Sequence, residues 1–244
     1  MRPDDFDAIT FDVSGPLIDW EPSILARLRA WAEAHGKTPA DAELIDAFDR
    51  ARAHYQMLSP ARPYPRILEL AIAYVAGEWG GRVDPAAQRD FGASVGEWPA
   101  YDDSVEALAR LKDRFVLGAL TNMDDASFAQ SHARLAHARL ARARLAEPFE
   151  IVVTAERAGA YKPALRHFVL SLTDLAARGI PPHRVLHVAQ SRRADVRPCN
   201  LLGQTVVHID RSGKALGHTG FGAELAVPDA VYPTMSAFVA AFLG

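Results

Sequence analysis

The sequence has one cysteine, no long apolar run and no excess of basic charge. Because Cys199 is the only cysteine, the chain cannot form an internal disulfide. No stretch reaches the roughly 20 apolar residues of a transmembrane helix, and the N-terminus lacks the apolar run of a signal peptide. A net charge of −3 at pH 7 gives no basic surface for nucleic acid or an anionic membrane. We therefore expect a cytoplasmic protein that binds neither nucleic acid nor membrane.

The chain is long enough to bury a sizeable core. Its 244 residues, 49% of them hydrophobic and 23% charged, suit one large domain or a core with a smaller domain. The histidines show no metal-ligand spacing, so we predict no metal site formed by them. Cys199 is expected to be a small buried apolar residue.

Short apolar segments that end in a polar or turn residue are typical of buried parallel strands. Five such segments lie at residues 7–11, 115–120, 151–153, 185–188 and 205–209. Helical patterns lie between most of them, for example at 104–113 and 164–177. This alternation predicts an α/β fold in which helices cover both faces of a doubly wound, mostly parallel sheet.

The alternation is interrupted between residues 21 and 99. That stretch shows only helix-like spacing of apolar residues, and Pro60, Pro63 and Pro65 divide it in the middle. We predict an inserted helical domain over 21–99 and an α/β core formed by 1–20 and 100–244. The inserted domain is expected to pack over the carboxyl edge of the sheet.

A short repeat lies between Ala133 and Ala146, where Ala-Arg-Leu-Ala occurs three times at five-residue spacing. Leucines five residues apart advance about 140° around a helix each time, so they form no single apolar stripe. We interpret the repeat as a duplication that lengthens a surface helix, not as a basic arm.

Polar residues follow the first four predicted strands. Asp12 ends the first strand, Thr121 and Asn122 end the second, Lys162 follows the third and Asp195 follows the fourth. Parallel strands present their carboxyl ends at one edge of a sheet. A carboxylate, a hydroxyl, an amine and a second acid are therefore expected to converge there.

Such a set suits covalent catalysis by a carboxylate. Asp12 would attack an electrophilic carbon or phosphorus, and water would hydrolyse the resulting ester. Lys162 would keep Asp12 ionised and, with the Thr121 hydroxyl, share the charge that develops. Each residue alone is explained as well by helix capping, but their order and spacing together favour catalysis. We expect Asp12→Asn to abolish activity with little change in stability, because the strand end is polar and near solvent.

These segments resemble the motifs of the haloacid dehalogenase superfamily. The similar segments are Phe-Asp-Val-Ser-Gly-Pro-Leu-Ile-Asp-Trp at 11–20, Leu-Thr-Asn at 120–122, Ala-Tyr-Lys-Pro at 160–163 and the segment ending at Asp195, in that order over nearly the whole chain. The Ile-Asp-Trp-Glu and Tyr-Lys-Pro sequences most resemble L-2-haloacid dehalogenases. The resemblance implies a Rossmann-like α/β core with the 21–99 insert as its cap domain.

The resemblance also implies roles for particular residues. Asp12 would be the nucleophile, Lys162 would stabilise charge, and Asp195 would assist hydrolysis or hold Lys162. Thr121 and Asn122 would bind the charged group of the substrate. Further substrate contacts are expected from Ser14, Ser191 and Arg52.

Four positions differ from the superfamily's usual pattern. Ser14 stands where phosphatases carry a general-acid aspartate and where dehalogenases usually carry tyrosine. Pro16 replaces a threonine, and no asparagine precedes Asp195. Asp49 falls at the cap arginine that receives the halide, so Arg50 or Arg52 would replace that arginine only with a shift of register. Loss of a general acid costs about 10² to 10⁴ in rate, which disfavours phosphate esters, whereas halide leaves without a proton.

Three functions stay open at this point. The first is a dehalogenase-like hydrolase that acts through an Asp12 ester on a small anionic substrate, without a cofactor. The second is a magnesium-dependent phosphatase or phosphonate hydrolase, in which Asp12 and Asp195 hold the cation. The third is a binding or regulatory protein that kept the fold and lost efficient turnover. The expected partner is a small-molecule substrate, and a homodimer is left open.

Overall fold

A parallel sheet forms the centre of the molecule. The computed structural model describes residues 1–137, 148–211 and 223–244, and within them six strands pair in the order β3-β2-β1-β4-β5-β6, all parallel. The strands are β1 (Ala8–Phe11), β2 (Val116–Leu120), β3 (Ile151–Val153), β4 (Val185–Ala189), β5 (Val206–Ile209) and β6 (Ala230–Tyr232). The predicted α/β fold with a doubly wound sheet is confirmed.

The sequence pattern predicts β1 to β5 to within one residue at either end. These strands are apolar, and β1 and β4 are buried along their whole length at the centre of the sheet. The sequence pattern does not predict β6, which is three residues long and lies at the edge of the sheet with Val231 exposed. A short, partly exposed edge strand carries little of the apolar signal on which the prediction depends.

Helices connect the strands and cover the sheet. They are α1 (Glu21–Ala34), α2 (Asp41–Leu58), α3 (Tyr64–Glu78), α4 (Pro85–Ala93), α5 (Ser104–Lys112), α6 (Asp125–His137), α7 (Ala155–Ala158), α8 (Arg166–Ala176), α9 (Arg197–Leu202) and α10 (Met235–Leu243). The predicted helices at 104–113 and 164–177 correspond to α5 and α8. No helix in the described part of the chain is both long and apolar enough to cross a membrane.

Residues 21–99 form a four-helix segment that contains α1 to α4. All of them are described, and none belongs to a strand of the sheet. The chain leaves α2 after Leu58 and enters α3 at Tyr64, so the break falls at the prolines that predicted it. The domain boundaries at residues 20 and 99 stay a prediction.

The two stretches of chain that enter and leave the four-helix segment lie side by side. The Asp19 N–H donates to the Pro99 carbonyl at 2.7 Å, and the Tyr101 N–H donates to the Leu17 carbonyl at 3.1 Å. Arg211, at the end of β5, donates to the Pro16 carbonyl at 2.6 Å. These bonds fix the start of the segment to the loop that carries Asp12.

The four-helix segment lies against loops at the carboxyl edge of the sheet. The Tyr64 N–H donates to Asp124 Oδ2 at 2.8 Å, beyond the end of β2. The Tyr161 hydroxyl, beyond β3, donates to the Arg62 carbonyl. One apolar cluster also runs from Phe11 in the sheet to Phe48 in α2. The segment therefore covers the edge at which the candidate residues were expected.

The repeat between Ala133 and Ala146 is described only in part. Its first unit lies in the last turn of α6, where Leu135 is buried. Residues 138–146 lie outside the described part of the chain. The prediction that the repeat lengthens a surface helix falls on these residues and stays a prediction.

Candidate active site

Three of the predicted residues meet at one buried ammonium group. Lys162 Nζ donates to Asp12 Oδ1 at 3.0 Å, to Asp195 Oδ1 at 2.6 Å and to the Leu120 carbonyl at 2.8 Å. These three bonds use all the donors of an ammonium group. The Lys162 residue is 1% exposed, so a single cation is held between two carboxylates away from water.

The two carboxylates around Lys162 differ in their pKa values. Burial raises the pKa of Asp12 to about 6, although the charge of Lys162 opposes the rise. Burial would also raise the pKa of Asp195, but Lys162 and a hydrogen bond from His187 hold it below its ordinary value. Burial would lower the pKa of Lys162, but the carboxylates hold it above its ordinary value. Lys162 and Asp195 are therefore ionised at neutral pH, whereas Asp12 titrates close to it.

The two oxygens of Asp12 have different surroundings. Oδ1 accepts a hydrogen bond from Lys162 Nζ and a second from the Val13 N–H at 2.8 Å. Oδ2 has no hydrogen-bond partner among the residues that the structure describes. The backbone of Asp12 is fixed by its N–H, which donates to the Val188 carbonyl at 3.0 Å. One carboxylate oxygen is thus anchored, and the other is available to react.

A buried chain of hydrogen bonds behind the site was not predicted. His187 in β4 contacts Asp195 Oδ1 through Nε2 at 3.2 Å and Thr10 Oγ1 through Nδ1 at 2.8 Å. Burial lowers the pKa of His187, and a neutral imidazole facing a carboxylate places its proton on Nε2. The Thr10 hydroxyl then donates to Nδ1. This chain orients Asp195, which in turn orients Lys162.

Asn122 holds the backbone of Lys162. The Lys162 N–H donates to Asn122 Oδ1 at 2.7 Å, and Asn122 Nδ2 donates to the Lys162 carbonyl at 3.3 Å. The neighbouring Thr121 hydroxyl accepts a hydrogen bond from the Met123 N–H at 3.2 Å. The side chain of Asn122 is therefore occupied in positioning Lys162. The predicted substrate contacts of both residues stay predictions.

The two predicted serines lie in the loops that flank Asp12 and Asp195. Ser14 is half-buried, and its neighbour Gly15 has φ 115°, where a side chain would also collide with Gln190. Ser191 Oγ accepts from the Ala194 N–H at 3.0 Å, which caps a π-helical turn over Arg192–Val196. That turn positions Asp195. Ser191 thus has a structural partner, and its predicted contact with substrate is untested.

Arg52 belongs to a charged group on the four-helix segment. Its guanidinium binds the Asp49 carboxylate and lies 4.8 Å from the centre of the Trp20 ring. Burial would lower the pKa of Arg52, but Asp49 and Tyr64 raise it, and burial raises the pKa of Tyr64. Asp49 and Arg52 are one helical turn apart, so both groups face the same side of α2. The sequence signal that could identify Arg52 is this spacing from Asp49.

A magnesium ion would take the two carboxylate oxygens that Lys162 leaves free, Asp12 Oδ2 and Asp195 Oδ2, the second of which is buried without a hydrogen-bond partner among the described residues. The ammonium of Lys162 already binds one oxygen of each, and the described residues hold no cluster of three or more potential metal ligands of the His, Cys, Asp or Glu type. Mg²⁺ requires near-octahedral coordination by oxygen atoms. The site therefore offers two free carboxylate oxygens to a cation, and water or substrate would have to complete its coordination.

Comparison with known proteins finds one matching family model and several similar solved structures. A family model described as haloacid dehalogenase-like hydrolase matches residues 6–196. A search of curated proteins found no match. Similar solved structures include the L-2-haloacid dehalogenase from Xanthobacter autotrophicus with chloropropionic acid covalently bound, which is 20% identical, with 96% of this chain and 97% of that chain covered and a TM-score of 0.71.

Two further solved structures are similar over nearly the full length. The L-2-haloacid dehalogenase RSc1362 is 19% identical, with 98% of this chain and 100% of that chain covered and a TM-score of 0.75. The protein YfnB from Bacillus subtilis, bound to magnesium, is 14% identical, with both chains fully covered and a TM-score of 0.74. At these identities the likeness shows a shared fold.

Proposed function

Because the chain belongs to the haloacid dehalogenase-like hydrolases, we propose that it hydrolyses a small anionic substrate through an ester on Asp12. The bond cleaved is one between carbon and a halogen in a 2-halo acid, and the product is the 2-hydroxy acid. The observation that carries this proposal is the Lys162 ammonium held between Asp12 and Asp195. No cofactor is required in this reaction.

The first step uses the free oxygen of Asp12. Oδ2 attacks the carbon that bears the halogen, a carbon–oxygen bond forms, and the halide leaves with the electron pair of the broken bond. Lys162 keeps Asp12 ionised once the pH exceeds its pKa of about 6. Halide needs no proton to leave, so Ser14 at the place of a general acid is no obstacle.

The second step uses the anchored oxygen. After the first step, Oδ1 is the carbonyl oxygen of the ester, and it becomes an oxyanion when water attacks Cγ of Asp12. Lys162 Nζ at 3.0 Å and the Val13 N–H at 2.8 Å already point at that oxygen. Two fixed donors of this kind stabilise the tetrahedral intermediate. Its collapse releases the hydroxy acid, regenerates the Asp12 carboxylate and gives one proton to solvent.

The experiment measures halide release from 2-chloropropionate by the wild type, Asp12→Asn and Asp46→Asn, with and without EDTA. Asp46 is an exposed carboxylate on α2 and is the matched control. We expect EDTA-resistant halide release by the wild type and the control, and loss of at least about 10³ in rate for Asp12→Asn. Magnesium-dependent release of phosphate from a phosphate ester would instead support the phosphatase. Absence of turnover on the phosphate ester, on 2-chloropropionate and on the longer 2-bromooctanoate would support the binding protein.

A single turnover in ¹⁸O-labelled water tests the ester directly. Because water attacks Cγ of Asp12, the label should enter the Asp12 carboxylate, and the hydroxy acid of the first turnover should carry ordinary oxygen. Mass spectrometry of the product and of the peptide containing Asp12 measures both. Label in the first-turnover product would show that water attacks the substrate directly and would refute the ester.

A further inference from the structure

A cleft of about 660 Å³ opens beside the candidate active site, between α2 and the loop that follows Tyr161. Its volume is roughly 20 times the 30 Å³ that a water molecule occupies in the liquid. Much of its wall is apolar, with contributions from Ala53, Met57, Pro60, Ala160, Pro163 and Ala164. Clefts of this size and character bind ligands larger than a two- or three-carbon acid.

Arg193 connects this cleft to the site. It lines the cleft and lies two residues before Asp195, in the same π-helical turn. Its Nε is buried and has no hydrogen-bond partner in the part of the chain that the structure describes. Burial lowers the pKa of Arg193, while Asp49 opposes the shift. The carboxylate of Asp49 is itself bound to Arg52, so it compensates Arg193 only in part.

A guanidinium that is partly removed from water and incompletely paired is costly unless an anion binds to it. Another arginine of the cleft, Arg50, is exposed and already paired with Glu78 at 3.3 Å. Arg193 is therefore the better placed of these two to bind an anionic group beside the candidate active site. Arginine can hold a carboxylate through two parallel hydrogen bonds.

We propose that Arg193 binds the anionic group of a substrate whose apolar body fills this cleft. The preferred substrate is then a medium-chain or aryl-substituted acid, with about ten non-hydrogen atoms, and not a two- or three-carbon acid. The inference depends on the proposed function for the reaction at Asp12. Its binding step can be measured without turnover.

The experiment is a calorimetric titration with acids that carry no halogen. Octanoate, propionate and the neutral 1-octanol are titrated into the wild type, Arg193→Gln, Ala164→Trp and Arg89→Gln. Arg89 is exposed on α4 and does not line the cleft, so its variant removes the same charge outside the cleft. Ala164→Trp places a large side chain at an exposed position of the cleft wall.

We expect the wild type and Arg89→Gln to bind octanoate at least about 30-fold more tightly than propionate, below the roughly 10³-fold limit for five buried methylene groups. Arg193→Gln should weaken octanoate binding about tenfold or more, because a hydrogen-bonded charge is lost. Ala164→Trp should weaken octanoate and leave propionate unchanged. 1-Octanol should bind far more weakly than octanoate.

Octanoate affinity within twofold of wild type in Arg193→Gln, or equal affinity for 1-octanol and octanoate, would overturn the proposal. Arg193→Lys, which keeps the charge and loses the paired geometry, should show an intermediate loss. If Arg193→Gln fails to fold, Ala164→Trp and the comparison of octanoate with 1-octanol decide. If the acids bind as expected but 2-bromooctanoate releases no halide, the proposed function fails and the binding inference stands.

Discussion

Because Asp12 is buried, its replacement by asparagine tests its effect on the stability of the fold as well as its role in hydrolysis. The residue is 7% exposed, and its pKa is raised to about 6 from 3.8. Asparagine has nearly the shape of a protonated aspartate and cannot ionise. We therefore predict that Asp12→Asn abolishes hydrolysis and, above pH 6, makes the protein more stable.

The magnitude follows from linkage between protonation and folding. Between pH 3.8 and about 6, the folded state binds more protons at Asp12 than the unfolded state does, so this group lowers wild-type stability as the pH rises through that window. Two pKa units correspond to about 3 kcal/mol. The variant lacks this titration. The free energy of unfolding of Asp12→Asn should be close to that of the wild type at pH 4 and should exceed it by about 3 kcal/mol at pH 8.

Asp195→Asn is the matched comparison, and it should act in the opposite direction. The pKa of Asp195 is held below its ordinary value. Ionised Asp195 therefore stabilises the fold at pH values above the ordinary pKa of aspartate, and this contribution is lost as the pH falls through the lowered pKa. Removal of one partner from a buried ion pair costs about 3 to 5 kcal/mol. Lys162 would keep Asp12 but lose the carboxylate at 2.6 Å.

Urea unfolding of the wild type and both variants from pH 4 to pH 8 measures these differences. Variants that destabilise the fold equally at pH 8 would show that the two carboxylates have the same environment, and the reasoning would be wrong. The expectation from sequence alone was that Asp12→Asn changes stability little, because the strand end was placed near solvent. The structure corrects that premise, since Asp12 is buried.

Three further predictions follow from the site. The kcat/KM for halide release should rise with pH through about 6, as Asp12 of the free enzyme ionises, and a flat kcat/KM profile from pH 5 to 7 would contradict its role as nucleophile. His187→Phe should lower the rate of halide release, and it should lower the free energy of unfolding by about 1 to 3 kcal/mol, because the buried Asp195 loses a hydrogen-bond donor. Urea unfolding measures the loss of stability, and unchanged substrate affinity would show that the slower rate is not a binding defect. Ser14→Asp should slow turnover without magnesium-dependent phosphatase activity, because the added charge raises the pKa of Asp12, and a gain of that activity would favour the phosphatase.

The sequence alone is sufficient to predict where the polar residues of the candidate site meet. Apolar strands and the polar residues at their ends are local signals, and parallel pairing then requires Asp12, Lys162 and Asp195 to share one edge. The hydrogen bonds of Lys162 to both carboxylates agree with that argument. Even the break between α2 and α3 followed from local rules for proline.

Other features depend on contacts between distant parts of the chain and could not be predicted. His187 contacts Thr10 only because β1 and β4 are neighbours in the sheet, and nothing in the sequence near His187 indicates this. Asn122 holds the Lys162 peptide across 40 residues, a partner that the strand-end argument could not identify.

The differences from the family pattern make sense together when their charges are considered. By resemblance, Asp49 stands at the place of an arginine on α2, and the structure shows its carboxylate bound to Arg52 one turn later. That pair is neutral overall, so α2 supplies less positive charge to an incoming anion than the pattern implies. Arg193, in the segment that lacks the usual asparagine, adds a positive charge to the lining of the wide cleft. If Arg193 binds the anionic group of the substrate as proposed, that group lies at the turn that carries Asp195, and an acid whose body extends into the cleft is favoured.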